Sequence, residues 1–291
     1  MSLWPVIAAH IERQLAVPCR YSTHQSLAGG DINRAFLLEC AEQRFFVKLN
    51  SAENAGMFAA ETAGLEALSA SGAMRVPEPI CHGTHQDQAY LAMEYLQLRR
   101  NGNLRHAGTA LAELHQVSGP RYGWQRNNTI GTTTQRNDWR DNWADFWSEL
   151  RLGYQLDLAE RGGYARGLRG GRELQELVGV LLRDHDPAPS LLHGDLWRGN
   201  FAFDEHGRPA LFDPAVYFGD RETDLAMTEL FGGFGTDFYA AYRAQGPLRE
   251  GYALRKTLYN LYHVLNHLNL FGGVYLRQAR AMIDQLLAEL R

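Results

Sequence analysis

The sequence predicts an α+β fold in two parts: a small, sheet-containing N-terminal lobe over residues 1–97 and a larger, mainly helical C-terminal lobe over residues 98–291. Three patterns predict it. Near the N-terminus, "AFLLEC" and "RFFVKLN" are short apolar runs separated by "AEQ", which reads as two strands around a turn. From about residue 104 apolar residues recur at helical spacing over long stretches. A single β-like interruption falls at 200–213, after which helical patterning resumes to the C-terminus.

Taken in order, "MSLWPVIAAHIERQLA" has an apolar stretch broken by Glu12 and Arg13 and lacks a basic leading segment. It reads as an amphipathic first helix rather than a signal peptide. The strand pair is followed by "MFAAETAGLEALSAS", a helix. Next comes "VPEPICHGTHQDQAYLAMEYL", where two prolines and a glycine precede a strand. The seam between lobes lies near "MEYLQLRRNGN", and clefts between lobes are where ligands usually bind. Beyond it, "LRHAGTALAELHQV", "DWRDNWADFWSELRLGYQLDLAE" and "LQELVGVLLRDH" are helical. "ERGGYARGLRGGRE" reads as a surface loop.

Composition excludes several function classes. A net charge of -4 provides no basic excess to pair with nucleic-acid phosphates. No apolar run approaches the roughly 18 residues of a membrane span. Cys19, Cys40 and Cys81 lack zinc-ligand spacing, and their odd number does not suggest a disulfide framework. They read as three free thiols in a reducing cytoplasm. The oligomeric state is left open, and the sequence is compatible with a monomer.

The chemistry-bearing stretch is "LLHGDLWRGNFAFDEHGRPALFDPA", residues 191–215. "FAFD" and "PALF" flank "EHGR", a hairpin signal with Gly207 in the turn. In-register pairing would set Asn200 opposite Asp213 at the open end, with Asp195 in the loop leading in. Asp or Asn alone reads as a turn cap. The three together suit a hard cation such as Mg²⁺, which takes carboxylates and phosphate oxygens. Asp195 and Asn200 are separated by four residues, the spacing of a kinase catalytic loop, and "FDPA" stands where a second metal-binding aspartate would fall.

The upstream half of such a site needs a strand lysine and a helix carboxylate. Lys48 alternates with apolar residues in "RFFVKLN", so it requires a partner or an exit to water. Glu61 shares a helical stripe with Phe58, Leu65 and Leu68 and is the candidate partner. Gly29 and Gly30 precede the strands and could bring backbone N–H groups to phosphate, although no G-x-G-x-x-G is present.

These residues make the chain resemble the fructosamine kinase (ketosamine 3-kinase) family. That family is a branch of the bilobal protein-kinase-like superfamily, near the aminoglycoside and choline phosphotransferases. "HGDLWRGN" with "DPAVYFGDRETDLAMTELFGGF" carries the resemblance most specifically. "NNTIGTTTQRNDWRDNW", "RLGYQLDLA" and "LYHVLNHLNLFGG" extend it from about Gly29 to Tyr275. The resemblance implies ATP-dependent phosphorylation of the sugar 3-hydroxyl of ketoamines, a deglycating activity. It implies Asp195 as base, Asn200 and Asp213 as Mg²⁺ ligands, and Lys48 with Glu61 as the nucleotide-anchoring pair. Met93, Glu94, Tyr95 and Leu96 would form the adenine hinge, and Trp197 and His267 would line the substrate pocket.

Asp224 is expected to hold the catalytic loop through backbone hydrogen bonds. His263 and His267 are spaced i, i+4, but no third ligand accompanies them, so a metal is not expected. Asp31 stands where some relatives carry a cysteine, which argues against a thiol-linked dimer and for a side chain directed away from nucleotide. The rival readings are an aminoglycoside- or choline-type phosphotransferase and a nucleotide-binding pseudokinase. A protein kinase is disfavoured because no A-P-E-like activation segment is present.

Overall fold

Apolar alternation makes a sheet of the N-terminal region. The computed structural model describes residues 2–28, 32–41 and 43–290. It divides into two units, Met1–Gly102 with Ala202–Asp213, and Asn103–Phe201 with Pro214–Arg291. In the first unit, helix α1 (Leu3–Leu15) precedes strands β1 (Tyr21–Leu27), β2 (Arg34–Cys40) and β3 (Gln43–Ser51). Helix α2 (Ala55–Ala70), β4 (Pro79–His85) and β5 (Gln88–Glu94) follow. The five strands pair antiparallel in the order β1-β2-β3-β5-β4. Leu38, Val47, Leu49 and Ala92 point into a core that α1 completes with Ile7 and Ile11. Burying each isoleucine stabilises that contact by about 1.5–3 kcal/mol. The amphipathic first helix is therefore present as expected. Strands β1 and β4 lack apolar alternation because both lie at sheet edges, where mixed exposure is tolerated.

One expectation fails here. Cys19 and Cys40 form a disulfide, with Cα atoms 5.0 Å apart. Register is the reason: Tyr21 pairs with Cys40, so the residue two positions before Tyr21 arrives beside the end of β2. Both sulfurs are buried. Only Cys81 is a free thiol, and burial pushes its pKa up to about 12.

The second unit opens with α3 (Leu104–Leu114), followed by a hairpin of β6 (Asn128–Ile130) and β7 (Thr133–Gln135). α4 (Trp143–Asp145) runs through a π-helical stretch, Phe146–Gly153, into α5 (Tyr154–Arg161). The helix expected over 138–160 starts late because the Asn142 side chain caps it by accepting from the Asp145 N–H. Residues 162–170 form the anticipated loop before α6 (Gly171–Leu181). Next come β8 (Ser190–Leu192), then β9 (Phe201–Phe203) and β10 (Pro209–Leu211), whose hairpin is counted with the first unit, and β11 (Tyr217–Gly219) of the second. β9 pairs with β10, and β8 with β11. The chain ends with α7 (Glu222–Leu230), α8 (Thr236–Gln245), α9 (Tyr252–Phe271) and α10 (Leu276–Ala288).

Trp143, Phe146 and Trp147 of the π-containing helix meet Tyr259, Tyr262 and Leu265 of α9 in the core of this unit. Arg151, fully buried, donates to the Arg136 carbonyl and to Asn137 Oδ1, and it lies over the rings of Phe146 and Tyr217. The β9–β10 ribbon turns where expected. Gly207 adopts φ 79°, and the Asp204 carboxylate accepts the N–H groups of His206 and Arg208.

Candidate active site

In the first unit the strand lysine is held from two sides. Lys48 Nζ lies 2.5 Å from Glu61 Oε1 and 2.5 Å from Asp213 Oδ1. Its side chain is 7 % exposed, that of Glu61 12 % and that of Asp213 47 %. The helical stripe places Glu61 here, with Phe58, Leu65 and Leu68 all buried beside it. Burial works against the Lys48 charge, but Asp213 and Glu61 outweigh it and hold the pKa above the ordinary lysine value. Burial pushes Glu61 up; Lys48 pulls it back, Asp213 adds like-charge repulsion, and the net direction is upward.

Asp213 follows β10 at φ 58°. That left-handed conformation costs about 1–2 kcal/mol for a residue with a Cβ, and the ion pair with Lys48 offsets the cost. Its Oδ1 faces Lys48, which leaves Oδ2 as a second donor for a cation.

The residues expected to form the hinge end β5 and continue past it. Met93 is buried, and Glu94 is paired to Arg75 and accepts the Glu78 N–H. Tyr95 and Leu96 are half-buried. Gly29, Gly30 and Asp31 lie outside the described residues.

In the second unit the loop from His193 to Asn200 is built around two side chains. Asn200 is buried, and its Nδ2 donates to the Asp195 carbonyl at 2.9 Å and to Asp195 Oδ2 at 3.0 Å. The Asp195 carboxylate is thereby clasped, and Asn200 Oδ1 becomes the oxygen a cation would take. The Asp195 N–H donates to His193 Nδ1 at 3.2 Å.

Beneath the loop, Asp224 accepts the N–H groups of His193 at 2.7 Å and Gly194 at 2.9 Å, as expected of an anchor. Gly194 has φ 82°, and a Cβ there would fall 2.0 Å from the Ala215 carbonyl oxygen, so no other residue fits. His115 contacts Asp224 through Nε2 at 3.2 Å and Tyr242 through Nδ1 at 2.8 Å. Burial would raise the Asp224 pKa, but the His115 bond and the backbone donors outweigh it and lower it. Only a faint sign of His115 is visible in the sequence, a single histidine at the end of the helix in "LAELHQV".

Trp197 is 38 % exposed and so is not a core residue. His267 is half-buried on α9, while His263 is buried. Burial drives the His263 pKa down to about 3, so it packs as a neutral ring. Among the described residues, His185, Asp220 and Glu222 approach one another as metal ligands would. The atoms that face one another are already engaged. Asp220 takes His185 Nε2 and the Tyr259 hydroxyl, both at 2.6 Å. Glu222 takes Arg255 twice, at 2.6 and 2.9 Å. The cluster is a buried structural network. The Asn200 amide oxygen and the Asp213 carboxylate are each of the donor type a hard cation takes.

A family description for fructosamine kinases matches residues 3–289. A "Probable ketoamine kinase" from Synechocystis is 48% identical over 98% of this chain and 97% of its own length. A chloroplastic protein-ribulosamine 3-kinase from Arabidopsis thaliana is 40% identical over 91% of this chain and 83% of its own. The crystal structure of a candidate fructosamine-3-kinase from Haemophilus somnus superposes with a TM-score of 0.91. It is 32% identical and covers 97% of this chain and 96% of that one. The α+β architecture is that of the protein-kinase-like phosphotransferases.

Proposed function

The chain belongs to the fructosamine kinase family, and on that premise we propose that it transfers the γ-phosphoryl group of ATP to the sugar 3-hydroxyl of ketoamines, that is, fructosamines or ribulosamines. The 3-phosphate is labile and releases the amine, so the activity serves deglycation in the cytoplasm. The observation that carries this reading is the clasp of Asn200 on Asp195, which holds one carboxylate oxygen while the loop backbone is anchored from below by Asp224.

Asp195 accepts the proton of the attacking hydroxyl as the phosphoryl group passes in line. Lys48, steadied by Glu61, holds the nucleotide phosphates. Gly29 and Gly30 are the candidates for contact with those phosphates, and Met93, Glu94, Tyr95 and Leu96 meet adenine. Asn200 and Asp213 are the residues that would hold Mg²⁺, which would neutralise charge on the phosphate oxygens when bound. Trp197 stacks on the sugar, and His267 hydrogen-bonds to the substrate. Its substrate is a small-molecule ketoamine or glycated amine. Among the described residues no helix is long and apolar enough to cross a membrane.

The test is an ADP-release assay across fructosamines, ribulosamines, choline and aminoglycosides, with phosphorus NMR to locate the new ester. Ketoamine turnover with the ester at O3 is expected. Asp195→Asn should lower kcat by about 10²–10⁴-fold while Mg-ATP still binds. Near-normal turnover in that variant removes Asp195 from the base role, and faster phosphorylation of choline or an aminoglycoside overturns the substrate class.

A further inference from the structure

Beside Trp197 the second unit exposes more aromatic surface than a fold needs. Trp197 and Phe231 are each 38 % exposed and Phe271 is 50 % exposed. The rings form a continuous run. Trp197 meets Phe231 at 6.0 Å between centroids, and Phe231 meets His267 at 5.3 Å. His267 in turn meets Phe271 at 5.5 Å and Tyr275 at 5.1 Å.

The sequence builds this run with one device used twice. Both α7 and α9 run out in a Phe-Gly-Gly, Phe231-Gly232-Gly233 and Phe271-Gly272-Gly273. The two helices pack against each other, so their terminal phenylalanines flank His267. The indole of Trp197 lies against Gly199, where a Cβ would come within 2.2 Å of the ring, and this fixes the near end of the run. His267 Nδ1 lies 2.7 Å from the His263 carbonyl oxygen. A carbonyl only accepts, so Nδ1 carries the proton and Nε2 is the acceptor of the neutral ring.

We propose that Phe231, Phe271 and Tyr275, arranged round His267, form the subsite for the amine half of the substrate, and that they select a protonated secondary amine flanked by apolar carbon over one flanked by carboxylate. The inference rests on the ketoamine reading given above and adds a specificity to it. In a ketoamine the nitrogen lies only a few bonds from the reacting 3-hydroxyl, so a sugar presented to Asp195 and Trp197 carries its amine into the adjoining surface. That nitrogen is cationic at neutral pH. Ring faces attract a cation through their quadrupole and disfavour an anion for the same reason. His267 Nε2 accepts one ammonium N–H, and the phenylalanine rings cover the carbon substituent.

The experiment compares kcat/KM for 1-benzylamino-1-deoxyfructose and for fructosylglycine, whose carboxylate is next to the nitrogen. The wild-type enzyme should favour the benzyl compound by about tenfold or more, mostly through KM. Phe231→Ala and Phe271→Ala should bring the ratio towards one, and Phe231→Tyr and Phe271→Tyr should restore it. The positions are exposed enough that folding, checked by thermal melting, should survive, and Phe→Leu variants offer a second, milder truncation. A wild-type ratio near one, or a ratio that truncation leaves intact, overturns the subsite. Failure to phosphorylate either compound instead overturns the ketoamine reading on which it rests.

Discussion

Two carboxylates, one in each unit, anchor the groups proposed for catalysis, and they do so by opposite means. Glu61 holds a charged side chain, Lys48, that it shares with the half-exposed Asp213. Asp224 holds backbone, the N–H groups of His193 and Gly194, with His115 behind it. Burial acts on both in the same direction, yet the Glu61 pKa ends raised and the Asp224 pKa ends lowered. The difference lies in the neighbours. Asp224 faces donors only, whereas Glu61 faces one cation and a second anion competing for it. A carboxylate surrounded by fixed donors is a structural anchor. One that shares a lysine with a competing aspartate leaves that lysine available for a third anion, as the nucleotide-binding role proposed for Lys48 requires.

The largest effect should come from the anchor of fixed donors. Asp224→Ala leaves two buried N–H groups and His115 without their acceptor, and should cost about 3–5 kcal/mol of stability, read by urea unfolding, with turnover lost alongside. The sign with pH follows from the lowered pKa. The wild-type contribution is complete above the ordinary aspartate range and fades as pH falls through the folded-state value. Asp224→Asn should therefore flatten the acid limb of the stability profile. If that limb is unchanged, another carboxylate sets it.

Lys48→Met should divide the two anchors more finely. Turnover should drop by about 10²–10³-fold, the usual effect of removing one donor to a developing anion. Its effect on stability should grow with pH. Without Lys48, burial and Asp213 act on Glu61 unopposed, so its folded-state pKa rises further. A raised pKa gives stability that is complete below the unfolded value and lost as pH rises through the folded one. The variant should thus lie nearer to wild type in stability at pH 5 than at pH 8. An equal deficit at both pH values would mean that Glu61 has another partner.

The sequence made one of these anchors easier to find than the other. A lysine in an apolar strand and a glutamate in an apolar helical stripe each need a partner, so burial raised the Lys48–Glu61 contact and the downstream pattern of Asp195, Asn200 and Asp213 decided for it. The share of Asp213 in that contact did not, because 165 residues separate it from Lys48 and no periodicity spans such a distance. The β9–β10 hairpin was legible through the turn at Gly207. The β6–β7 and β8–β11 pairs were not, since three-residue strands are too short to show alternation. The Cys19–Cys40 bond was hidden for a related reason: strand register, not spacing along the chain, brings the thiols together. His115 gave almost no sign, because one histidine at the end of a helix is ordinary until its partner is known.

The smallest effect expected tests whether support for Asp224 extends along α3 to the far end of the helix. The Asn103 side chain caps α3 by accepting the His106 N–H at 3.1 Å, and His115 stands at the opposite end as the C-cap residue. Asn103→Ala removes one acceptor from the first turn and should cost about 1 kcal/mol, measured by urea unfolding. Asn103→Ser should recover most of it, because a hydroxyl caps nearly as well. The last turn of α3 is held independently, by Leu111 and Leu114 in the core and by the contacts of His115 with Asp224 and Tyr242. Fraying at the first turn should therefore leave KM unchanged and shift kcat by less than about twofold. A turnover loss comparable to that of Asp224→Ala, with stability lowered by only the expected amount, would show that α3 positions the loop as a rigid rod. The local contacts of His115 would then be insufficient to hold Asp224 in place.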